Sequence, residues 1–113
     1  THVNAVGSNQ PKRRELPSEL IARADWIAVD SREQARMESG DLLLSMGDAA
    51  WSDPRVVELA DVVSGRIHVR SRTDEITIFN SVGLAVEDVV CAGYVYERAV
   101  AERVGREIGA AYS

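Results

Sequence analysis

Two segments roughly seventy residues apart constrain this chain more than anything else in it. The first is Val3-Asn4-Ala5-Val6-Gly7-Ser8-Asn9, leading into Arg13-Arg14-Glu15-Leu16. The second is Glu75-Ile76-Thr77-Ile78-Phe79-Asn80-Ser81-Val82-Gly83-Leu84. Each has the pattern of a buried strand that runs into a turn of small residues. In α/β proteins ligands bind at such carboxyl ends of strands, so the pair predicts two walls of one site.

The sequence between them predicts alternating helices and strands. Asp25 to Asp30 is a mostly apolar second strand, as expected when both faces of a sheet are covered. Ser18 is placed to cap a short helix, Glu19 to Ala24. Ser31 is placed to cap another, Arg32 to about Ser39, which Gly40 ends. Asp41 to Met46 is apolar and fits either a helical turn or a short strand. Asp53-Pro54 predicts a helix start, and Val56, Leu59, Ala60 and Val63 follow at helical spacing up to Gly65. Glu75 to Phe79 is the third strand. Leu84 to about Ile108 predicts one long helix, apolar on several sides as far as Tyr96 and on a single stripe afterwards. Its first half should lie under the sheet and its second half should reach another domain or subunit.

This order predicts a parallel sheet with right-handed crossovers. Three strands are few beside the usual five or six or so, and they leave exposed edges. The expected fold is therefore α/β: the second half of a doubly wound parallel sheet of about three strands, residues 1–83, followed by a long C-terminal helix, residues 84–113.

Composition narrows the function classes. The net charge of −5 argues against a general affinity for nucleic acid. No apolar run is long enough to span a membrane, and these residues hold no basic-then-apolar leader, although a chain that opens inside a strand does not exclude upstream residues. One cysteine excludes an internal disulfide or a cysteine-based zinc site, which fits a reducing, cytoplasmic setting. His2 and His68 lack a second ligand at metal-binding spacing, so no metal is expected. Cys91 lies among apolar residues and is expected in a core. Trp26 is expected to pack, and Trp51 to cover an edge or meet a partner.

Four stretches carry a family resemblance. They are His2-Val-Asn-Ala-Val-Gly-Ser-Asn9, Arg14-Glu15-Leu16, Val29-Asp30-Ser31-Arg-Glu-Gln-Ala35 with Gly40-Asp41-Leu42, and Ile76-Thr-Ile-Phe-Asn-Ser-Val-Gly-Leu-Ala-Val-Glu-Asp88. In that order they resemble the C-terminal half of the ornithine cyclodeaminase/mu-crystallin family. The resemblance implies an NAD(P)-dependent enzyme about three times as long, with a Rossmann domain and a separate domain for substrate binding and dimerisation. It implies a small amino acid or cyclic imine as substrate, and a homodimer. No G-x-G-x-x-G occurs here, so the chain is expected to be a fragment that lacks the N-terminal half and is inactive alone.

The resemblance also assigns residues. Asn9 stands where cyclodeaminases carry a catalytic Asp, in a loop reading Asp-x-Pro-Gly-Lys-x-Glu-Leu. Here that loop reads Asn9-Gln10-Pro11-Lys12-Arg13-Arg14-Glu15-Leu16. An amide cannot take up a proton as a carboxylate does, which weakens cyclodeamination more than hydride transfer. Val6, Asn9, Ser81 and Val82 would line the nicotinamide pocket of NAD or NADP, and Arg13 would help fix it. Gly83 would let the backbone approach closely. Lys12 is expected to be solvated, and Glu15 to pair with the neighbouring bases or cap the next helix. Asp30 and Ser31 fit a ligand site or a plain helix cap, with the cap favoured. Reduction of an imine or dehydrogenation of an amino acid then ranks with cyclodeamination. The alternative is a non-catalytic ligand-binding or dimerisation module of the same fold.

Overall fold

The computed structural model describes residues 1–106 and 108. The chain divides into two compact units, Thr1–Gly83 and Leu84–Ser113. In the first unit the elements are β1 (His2–Ala5), α1 (Ser18–Arg23), β2 (Trp26–Val29), α2 (Arg32–Glu38), α3 (Gly40–Met46), a 3₁₀ segment (Gly47–Ser52), β3 (Val56–Glu58), α4 (Leu59–Val63) and β4 (Thr77–Asn80). The second unit holds α5 (Ala85–Glu102).

The strands form one parallel sheet in the order β1-β4-β2-β3. β4 therefore lies between β1 and β2, and the carboxyl ends of all three share one end of the sheet. Ile27, Val29 and Ile78 point from the sheet into a core with Ile21, Ala35, Leu42 and Val56, all buried. Burying one such large aliphatic side chain stabilises by about 2 kcal/mol. The opposite face carries His2, Asn4, Trp26, Ala28, Thr77 and Phe79 along a groove shared with Leu59 and Val62 of α4.

The structure corrects several expectations. The sheet has four strands, because Val56 and Val57 pair with Ile27 and Ala28 instead of entering a helix. A β-branched pair beside an apolar strand gains a ladder and burial, which outweighs the helix-start signal of Asp53-Pro54. Asp53 instead closes a turn, its Oδ1 accepting the Arg55 N–H at 2.9 Å. Gly40 opens α3 rather than ending α2, whose C-cap is Ser39. Pro17 is the N-cap of α1, and Ser18 is its first residue. Its hydroxyl meets Arg14 and Ser45. Asp41 to Met46 is helical.

The long helix stops at Glu102, where Arg103 turns left-handed with φ 56°. Ile108 is not helical, and Glu107 and Gly109–Ser113 lie outside the described residues. α5 buries none of its residues, so Cys91 is exposed and not in a core. Trp51 packs against the core from the 3₁₀ segment. No described helix is long and apolar enough to cross a membrane.

Candidate functional site

The site grows from the ends of β1, β4 and β2. The Ser81 N–H donates to the Ala5 carbonyl at 3.0 Å, which seats the residues after β4 beside those after β1. Val6, the residue after β1, is 66% exposed, while Val82 is 7% exposed. The structure thus brings Val6, Ser81 and Val82 to one edge of the sheet end, with Ser81 half-buried.

Asp30, at the end of β2, holds this turn. Its Oδ2 accepts the Ser81 hydroxyl at 2.8 Å, the Val82 N–H at 3.1 Å and the Gly83 N–H at 2.8 Å. Its Oδ1 accepts the Ser31 N–H at 3.2 Å. Gly83 has φ +85°, and a Cβ there would meet nothing within 4 Å. The glycine is required by backbone conformation and not by crowding. Ser31 caps α2 through its hydroxyl, which accepts from the Gln34 N–H. The Glu58 carboxylate accepts the Arg32 N–H at 3.0 Å.

Asn9 and Arg13 lie on the loop 7–16, both exposed. This loop is fastened from α3. Asp41, 1% exposed, accepts the Glu15 and Leu16 N–H groups at 2.8 Å each through Oδ1, and Asn80 Nδ2 at 2.8 Å through Oδ2. The Ser39 hydroxyl donates to Asn80 Oδ1 at 2.6 Å. Ser8 donates to the Arg13 carbonyl at 2.9 Å. A Cβ on Gly40 would sit 1.8 Å from that same carbonyl oxygen, so the loop lies directly on the start of α3. Glu15 neither pairs with Arg13 or Arg14 nor caps a helix: its Oε2 accepts the Gly7 N–H at 2.8 Å. Asp41 and Asn80 thus tie one wall of the site to the other through the interior.

The family model described as ornithine cyclodeaminase/mu-crystallin family matches residues 1–103. The chain belongs to that family. The Delta(1)-pyrroline-2-carboxylate reductase of Bacillus cereus is 45% identical over 108 residues, which is 95% of this chain and 33% of the relative. The ketimine reductase mu-crystallin of Mus musculus is 45% identical over 96 residues, 85% of this chain and 28% of the relative. The solved Delta(1)-pyrroline-2-carboxylate reductase of Thermococcus litoralis, in complex with NADH and L-proline, superposes with a TM-score of 0.79 at 39% identity, over 96% of this chain and 33% of that one. The chain therefore spans about a third of the length of the relatives it matches.

In this ornithine cyclodeaminase/mu-crystallin chain the turn after β4 cannot serve as a phosphate cradle. The Val82 and Gly83 N–H groups that would face an anion already donate to Asp30, and a second negative charge beside that carboxylate would be repelled. The start of α2 is likewise filled by Ser31 and Glu58. Beside that turn stands the exposed Val6, and the Ser81 hydroxyl is oriented by Asp30. Among the described residues no three His, Cys, Asp or Glu side chains converge as a metal site.

Sequence reasoning weighed Asp30 mainly as a cap and gave Asp41 no role. For Asp41 there was a signal. It is a lone acid inside the apolar run Gly40-Asp41-Leu42-Leu43-Leu44, and a buried carboxylate must be hydrogen-bonded to be tolerated.

Proposed function

We propose that this chain is the C-terminal part of an NAD(P)-dependent oxidoreductase that reduces a small cyclic imine carrying a carboxylate, or oxidises the matching amino acid. The observation that carries this reading is the Asp30-filled turn beside Val6. It leaves the sheet end suited to the nicotinamide side of a dinucleotide and unsuited to the phosphate side. The cofactor would supply the hydride. Val6 and Val82 would offer apolar contact to its ring, Ser81 a polar contact, and the loop carrying Asn9 and Arg13 would close the opposite side. The reductases among the relatives support the same reading. Asn9 favours hydride transfer over cyclodeamination, because its amide does not take up a proton in a general-base step.

The second unit favours a dimer. α5 exposes Val86, Val89, Val90, Val95, Tyr96 and Val100, a larger apolar surface than a solvated helix usually keeps. We propose that a second copy covers part of it, in a cytoplasmic protein.

Thermal shift of the full-length protein with NADH and with NADPH tests the cofactor. A shift with at least one is expected, and no shift with either would sink the reading. Oxidation of the bound cofactor should follow addition of Delta(1)-pyrroline-2-carboxylate. Asn9→Asp should alter turnover of amino acid or imine, and an unchanged rate on every substrate removes Asn9 from the site. The isolated 113 residues should bind neither cofactor, since they carry no pyrophosphate turn.

A further inference from the structure

The Ser81 hydroxyl has one place to send its hydrogen. Asp30 Oδ2 already receives the backbone N–H groups of Val82 and Gly83, which can only donate, so that oxygen stands as an acceptor. Ser81 Oγ lies 2.8 Å from it and must be the donor of the pair. A hydroxyl has one hydrogen and two acceptor lone pairs, and ordinarily rotates to suit its partner. Here the hydrogen is committed to Asp30, and the Gly83 N–H approaches Oγ at 3.2 Å along one acceptor direction. A bound molecule is left with one lone pair to meet.

We propose that Asp30 is a positioning residue that makes Ser81 a dedicated hydrogen-bond acceptor, so that this wall selects ligands offering an N–H group. For a nicotinamide ring the fitting donor is the carboxamide NH₂. The inference rests on the dinucleotide reading above and adds the direction of the hydrogen bond to it. Asp30 touches no ligand in this scheme; it acts through Ser81.

The test compares affinities of the full-length protein for its reduced nicotinamide cofactor and for the acetylpyridine analogue, in which a ketone replaces the amide and no N–H remains. Fluorescence titration gives both constants. The native protein should bind the carboxamide form about tenfold more tightly, the scale of one hydrogen bond to a poised acceptor. Asp30→Ala removes the acceptor, frees the Ser81 hydroxyl hydrogen to turn towards the ligand and should bring the ratio near one. Ser81→Ala should also bring it near one, and it carries the test if Asp30→Ala does not fold. A purely structural Asp30 would weaken both ligands equally and leave the ratio unchanged. A native ratio near one, or a tenfold ratio that survives both substitutions, overturns the inference while the cofactor reading stands. Failure of both ligands to bind the native protein overturns the two together.

Discussion

The turn after β4 and the loop after β1 face the same end of the sheet, yet they are held in opposite ways. The first is three residues long and is gripped by one carboxylate from the neighbouring strand, Asp30, which takes up its N–H groups directly. The second runs through residues 7–16 and is held at several points, by the buried Asp41 at its far end, by contact with Gly40, and by its own Glu15 folding back to Gly7. A short turn at a strand end has few conformations to suppress, and one acceptor suffices. A ten-residue loop loses far more backbone entropy on ordering, so it needs several anchors. The difference teaches where ligand-dependent adjustment should lie: in the loop with Asn9 and Arg13, not in the turn with Ser81 and Val82.

The largest effect expected is one that breaks both walls at once. Ile78 is 1% exposed in the central strand, and Ile78→Ala should cost about 4 kcal/mol by cavity formation, read from the urea midpoint. It should loosen amide protection in both segments, and a loss confined to one would mean the walls do not share the sheet as their support.

Next comes Asp41→Ala, expected to cost about 3 kcal/mol. It leaves two backbone N–H groups and the Asn80 amide without their acceptor. Amide exchange at Glu15 and Leu16 should quicken while that at Val82 and Gly83 stays slow. Equal loss in both would mean that Asp41 holds the turn after β4 as firmly as the loop.

Gly40→Ala should cost about 2 kcal/mol, because its methyl meets the Arg13 backbone and the loop must lift. Its mark is a displaced loop with an intact core, visible as shifts limited to residues 7–16. Core-wide shifts would show that the close approach is not confined to the loop.

The smallest effect sharpens the comparison by lying outside both walls. The Arg55 side-chain hydrogen bond holds the Asp53 carboxyl below its usual range. An aspartate with a depressed folded-state pKa stabilises above its unfolded value, about 3.9, and that contribution fades as pH falls through the lower folded value. A pair this open to solvent is worth at most about 1 kcal/mol. Asp53→Asn should therefore flatten the acid limb of stability below about pH 4 slightly, and leave both site segments untouched.

Much of the fold was legible because local signals agreed with the global structure. The strands at 2–5, 26–29 and 77–80 and the Ser31 cap followed from apolar runs and capping chemistry. β3 was not, because Val56 and Val57 become a strand only once β2 is alongside. The end of α5 was missed for another reason: nothing in its apolar pattern announces the left-handed turn at Arg103. At the site, the small-residue turns marked where to look, whereas the roles of Asp30 and Asp41 depend on partners 51 and 39 residues away.

The sequence alone determined the parallel α/β plan and the two strand ends, because hydrophobic period and turn residues act over a few positions. It also carried the amide side chain of Asn9, a matter of residue identity. Only the tertiary structure decided how those ends are held and which way the Ser81 hydroxyl points. A hydrogen bond between distant segments exists only after the chain has brought donor and acceptor to within 3 Å or so of each other.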